Sequence, residues 1–124
     1  MTELSNRVHL FAHPSAREDL DRFFTDVLSL PPASSVAAPG LDLPILIYQF
    51  ENGASLSVQF GEDALGAEEA RRGAWLELVA DDADRLKEKV LRAGLRRLEH
   101  LGGEHFYFQA PGGQVMRIVS PDQL

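Results

Sequence analysis

Apolar and polar residues alternate over 7–13, with Val8, Leu10 and Ala12 on one face and His9, Phe11 and His13 on the other. That period of two predicts a strand. Pro14 ends it. Ser15-Ala16-Arg17-Glu18 then reads as a capping box, with Ser15 as N-cap and Glu18 reaching back. Leu20, Phe23, Phe24, Val27 and Leu28 follow the spacing of a buried helical stripe, which predicts a helix running to about Leu28. The Pro-rich stretch 31–44 is irregular, with room for a short edge strand. Residues 45–50 and 55–60 read as two strands joined by Glu51-Asn52-Gly53-Ala54, an Asn-Gly hairpin signal.

A polar connector spans 61–73. The order then repeats: a strand at 74–80, a helix from about Ala83 to Ala93 capped by Asp81 or Asp82, Gly94 at its C-terminal stop, and strands at about 96–100, 105–109 and 115–120. An offset of 66 places Leu20 on Leu86 and Phe24 on Val90; an offset of 60 places Gly53 on Gly113, Leu56 on Met116 and Val58 on Ile118. The expected organisation is therefore one α+β domain of two βαβββ modules, about 7–60 and 74–120. Each half alone would expose an apolar sheet face. Pairing the two in a curved mixed sheet around a shared concave surface would bury that face and create a cavity.

Composition narrows the chemistry. The 124 residues contain no cysteine, which excludes disulfides, thiol catalysis and zinc–thiolate sites and is compatible with a reducing cytoplasm. No apolar run approaches the ~20 residues of a membrane span, and "MTELSNR" has no apolar signal core. The formal net charge of −7 argues against a nucleic-acid partner and favours, weakly, a cationic small molecule.

The strand–helix stretch "HLFAHPSAREDLDRFFTDVLSL" (9–30) and the hairpin "FQAPGGQVMRI" (108–118) together resemble the vicinal oxygen chelate superfamily, which includes glyoxalase I, extradiol dioxygenases, fosfomycin-modifying enzymes and bleomycin-resistance proteins. Phe23-Phe24 stands for the family's Phe-Tyr pair and Leu28-Ser29-Leu30 for its Leu-Gly-Leu. The resemblance implies a homodimer. It also implies up to four metal ligands, one each from the first and last strands of both halves. By counting, those positions fall on His9, Ser57, Trp75 and Arg117. Only His9 is a ligand type, and Arg117 places a cation where the last carboxylate would be.

Other residues do not rebuild a chelate. His9 and His13 lie about 13 Å apart along a strand, too far to share one ion. Glu77 could join His9 in a weak site. His100, Glu104 and His105 cluster near a turn. The expectation is a metal-free cavity without a cofactor, lined by His9, Phe11, His13, Ser55, Ser57, Gln59, Trp75, Glu77, Tyr107 and Arg117. Trp75 would stack on a planar ligand, and Glu77 and Arg117 would either pair or hold a polar group. No spacing identifies a base for a serine nucleophile. The functional expectation is sequestration of an aromatic or planar compound, cationic in one version, as in antibiotic-resistance binding proteins. The rival is a divalent-metal lyase, isomerase or dioxygenase using His9 and Glu77.

Overall fold

The two halves of the computed structural model, which describes residues 1–99 and 103–124, each build one four-stranded mixed sheet. The chain separates into two units, Met1–Ala64 and Leu65–Leu124. In the first, β1 (Arg7–Ala12), β2 (Ser34–Val36), β3 (Ile45–Gln49) and β4 (Ser55–Phe60) lie in the order β1-β4-β3-β2. In the second, β5 (Trp75–Val79), β6 (Arg97–Leu98), β7 (Phe106–Gln109) and β8 (Val115–Val119) lie in the order β5-β8-β7-β6. Each unit pairs its first and last strands in parallel and its remaining neighbours antiparallel. The βαβββ order expected from the apolar pattern is therefore the observed one, with α1 (Arg17–Arg22) and α3 (Ala83–Arg92) as the helices. A further short helix, α2 (Ala67–Ala70), forms inside the stretch read as a connector.

Alternation decides which side chains reach each core. In the first unit Ala12, Leu46, Tyr48, Leu56, Val58 and Phe60 are buried on one sheet face, together with Leu20, Phe23 and Phe24 of the helical segment. In the second, Phe106, Phe108, Met116 and Ile118 share a face by register and are buried along with Ala83 and Val90 of α3. Asp82, not Asp81, caps α3: its carboxylate accepts from the Arg85 N–H at 3.1 Å. Gly94 follows with φ +84°, a left-handed stop.

The first helix departs from expectation at both ends. The Ser15–Glu18 capping box does not form. Pro14 has its φ fixed near the helical value, so a 3₁₀ turn starts at Pro14 and His13 becomes the cap, its Nδ1 accepting from the Ser15 N–H at 3.1 Å. Ser15 is thereby inside the turn, two residues past the cap position. At the other end Phe23–Val27 widens into a π-type turn, with Leu28 N–H donating to Phe23 O at 3.0 Å. The extra residue lets Phe23 and Phe24 both point into the core. Ser29 then closes the segment at φ +59°, at the position where the family resemblance has glycine. The predicted strand at 96–100 contracts to Arg97–Leu98; His100 lies outside the described residues.

One polar contact ties the first helix to its sheet. The buried Tyr48 hydroxyl donates to Asp21 Oδ1 at 2.6 Å, and its ring packs on Phe24 with centroids 4.4 Å apart. Burial, and then the bond to the Asp21 carboxylate, push the Tyr48 phenol above the ordinary tyrosine range. Because the folded phenol holds its proton more tightly than the unfolded one, this contribution is complete below about pH 10 and is lost as pH rises beyond that. Tyr48→Phe should destabilise by about 1 kcal/mol at neutral pH, and the gap from wild type should narrow above pH ~10. Urea unfolding at a series of pH values measures both; a gap constant with pH would show that the phenol is not the titrating group.

Candidate functional site

The polar strand residues lie on the face opposite each core, which in the second unit also holds the buried Leu98, Tyr107 and Val115. In the first unit the parallel register sets His9 beside Ser57 and Phe11 beside Gln59. His9 bridges the two neighbours on β4: its Nε2 lies 3.0 Å from Gln59 Oε1 and its Nδ1 lies 2.6 Å from Ser57 Oγ. Gln59 Oε1 accepts, so in the neutral ring Nε2 carries the proton and Nδ1 accepts from the Ser57 hydroxyl. Phe11, 59% exposed, stands edge-on to the His9 ring at 5.2 Å. Ser55 is half-buried at the start of β4, opposite Arg7 and Gln49. His13 falls just past the end of β1, with Nδ1 committed to the turn through Ser15. Sharing strand parity with His9 therefore does not bring it into the His9 array.

The structure thus gives Ser57 a neighbouring base, which residue spacing did not reveal. The geometry resembles a nucleophile with an oriented imidazole. Gln59 is neutral, however, and cannot stabilise the imidazolium that a serine nucleophile requires. In hydrolytic triads, replacing the anionic partner by a neutral amide costs roughly 10⁴-fold in kcat. The array is better suited to holding a polar ligand group than to covalent chemistry.

The second unit gathers a denser cluster. Glu77 lies opposite Arg117 on the parallel pair β5–β8, and Tyr107 opposite Arg117 on β7–β8. Arg117 Nη1 approaches Glu77 Oε2 at 3.6 Å, and its Nη2 donates to His105 Nδ1 at 2.9 Å. A guanidinium has donors only, so His105 Nδ1 is the acceptor and the His105 proton sits on Nε2. The guanidinium also lies over two aromatic rings, 5.6 Å from the centroid of Trp75 and 5.9 Å from that of Tyr107. Trp75 and Tyr107 meet edge to face at 5.5 Å. Tyr107 is buried, whereas Trp75 is 46% exposed. A cavity of about 310 Å³ opens beside this pair, lined also by Arg71, Arg72, the Gly73–Ala74 backbone and Val115.

Strand register corrects one assignment made by counting. In β1–β4, His9 faces Ser57; in β5–β8 the corresponding pair is Glu77 and Arg117, while Trp75 faces Val115. The strand-pair equivalent of His9 is therefore Glu77. The offset taken from the helices misses this because the connection from strand to helix is shorter in the second unit than in the first.

No family model and no curated protein sequence matches the chain. Solved structures do match. The fosfomycin resistance protein FosX from Mesorhizobium loti is 14% identical, with a TM-score of 0.68 over 95% of this chain and 91% of that one. Glyoxalase I of Leishmania major is 10% identical, with a TM-score of 0.72 over 98% of this chain and 89% of that one. The chain has the vicinal oxygen chelate fold. A third match is a FosX variant from Listeria monocytogenes, 13% identical, with a TM-score of 0.68 over 95% and 92% of the two chains, in complex with Mn(II) and 1S,2S-dihydroxypropylphosphonic acid.

Within each unit, the described residues offer no ready ligand set for such an ion. Arg117 brings a cation and holds Glu77 as its counter-charge, while both ring nitrogens of His9 are bonded to Ser57 and Gln59. Among the described residues, no group of three or more His, Cys, Asp or Glu side chains could hold a metal. Also among the described residues, no helix is long and apolar enough to cross a membrane.

A backbone clamp sets the cavity's rim. Gln109 Nε2 donates to Ala67 O at 2.8 Å and to Gly113 O at 3.0 Å, tying α2 to the β7–β8 hairpin. Gly113 has φ +97°, and a Cβ there would lie 3.0 Å from Ala67 Cα. Gly113→Ala therefore combines left-handed strain with a backbone clash, and should destabilise by about 1–3 kcal/mol. Urea unfolding reads this directly; an unchanged midpoint would show that α2 yields without cost.

Proposed function

We propose that this protein binds a small aromatic or planar molecule without a metal ion and sequesters it, as antibiotic-resistance binding proteins do. The observation that carries the reading is Arg117. It stands at the strand position which the family resemblance gives to a metal-binding carboxylate, neutralised by Glu77, bonded to His105 and covered by Trp75 and Tyr107. Coordination chemistry is thereby exchanged for stacking and hydrogen bonding. A guanidinium stacked on aromatic rings is a rigid wall, and a half-exposed indole beside a cavity offers a large flat contact area at small entropic cost. In the first unit, taken by itself, the His9–Ser57–Gln59 array offers donors and acceptors of the kind that hold a polar group. Among the structural matches, the fosfomycin resistance proteins support a role in resistance. The protein acts as a homodimer in this reading, as the resemblance implies.

Two measurements test the proposal. Calorimetric titration with Mn²⁺ or Zn²⁺ should show no uptake of one ion per chain at a Kd below ~1 µM, and chelators should leave ligand binding unchanged. Stoichiometric uptake, with an activity abolished by chelation, would establish the metal-dependent lyase, isomerase or dioxygenase instead. The fluorescence of Trp75, the only tryptophan, should respond to compounds in a panel of aromatic antibiotics and metabolites. Arg117→Met should weaken those responses about tenfold, since it removes the ring contact and leaves Glu77 without its partner.

A further inference from the structure

The cavity beside Trp75 carries a sign opposite to that of the whole chain. The formal net charge is −7, yet the only charged side chains lining the cavity are Arg71 and Arg72. Arg71 is partly neutralised: its Nε lies 3.4 Å from Glu68 Oε2. Arg72 is exposed and makes no ion pair among the described residues. Among the described residues no carboxylate lines the cavity itself, so Arg72 is left without a counter-charge there. The opposite wall is apolar and flat, made by the Trp75 indole, Tyr107 and Val115.

From this juxtaposition we infer that the cavity takes an aromatic carboxylate, its ring against Trp75 and its carboxylate on Arg72. The inference rests on the small-molecule-binding reading above and specifies the ligand's class. The fixed fork of a guanidinium matches a carboxylate in two parallel hydrogen bonds. The aromatic wall gives such a ligand an advantage over inorganic anions, which have no surface to stack. A cationic arene, which the net charge alone would favour, meets two guanidinium groups at the rim and is repelled. The volume of about 310 Å³ lies at the small end of ligand cavities, which fits a one- or two-ring compound. Arg71 and Arg72 follow α2 directly, so the Gln109–Ala67 bond and the close approach of Gly113 hold the segment that brings them to the cavity.

The test compares three probes of one shape and different charge: 2-naphthoate, neutral 2-naphthamide and the 2-naphthylmethylammonium ion, each titrated calorimetrically into the full chain. Naphthoate should bind at least about tenfold more tightly than the amide, with the ammonium weakest, and only naphthoate should weaken as salt is raised. Arg72→Gln should remove most of the naphthoate advantage and leave amide affinity unchanged; Arg72→Lys should restore part of it. Equal affinities, a preference for the ammonium, or no naphthoate binding at millimolar concentration would each overturn the inference. These outcomes separate from failure of the broader reading. A preference for the ammonium reverses the sign while leaving aromatic binding intact, whereas stoichiometric metal uptake removes the broader reading whatever the probes do.

Discussion

The parallel pairing of first strand to last, β1 on β4 and β5 on β8, is the constraint on which the site depends. It makes the neighbours His9–Ser57 and Glu77–Arg117. Because strand side chains alternate with period two, those neighbours face away from the core whenever Leu56, Val58, Met116 and Ile118 face into it. A slip of one residue would bury a histidine, a glutamate and an arginine and expose four large apolar side chains. The register is therefore held by the cost of burying charge together with the gain from burying hydrocarbon. The polar array and the core are two outcomes of one choice.

Given that register, Arg117 decides the character of the second unit. A mostly buried guanidinium needs charge compensation and hydrogen-bond acceptors; Glu77 and His105 supply these, and two aromatic rings pack against it. The same contacts engage the Glu77 carboxylate and fix the guanidinium against the sheet. Fosfomycin resistance proteins and glyoxalase I share the fold, and a shared topology leaves the chemistry to the side chains that each chain places on it.

Most of the architecture was legible in the sequence because it follows from local periodicity: alternating strands, a helical apolar stripe, and glycines where left-handed turns are required. The expectations that failed were those in which a neighbouring residue competes for a local role. Ser15 and Glu18 have the capping pattern, but Pro14 starts the turn earlier and hands the cap to His13. The counting that placed the second-half counterpart of His9 at Trp75 assumed equal connections in the two halves. Hydrogen-bond register chooses Glu77, because strands are aligned by their ladders and not by their distance from a helix.

By itself the sequence determined the two-module order and the face that most strands bury; these depend on residue identity and spacing along one strand. Only the tertiary structure decided that His9 bridges Ser57 and Gln59, that Arg117 is held by His105, and that Gln109 ties Ala67 to the β7–β8 hairpin. Those contacts join residues far apart in sequence. Their distances are set by strand pairing and by the packing of a four-residue helix against a hairpin, neither of which leaves a periodic mark in the chain.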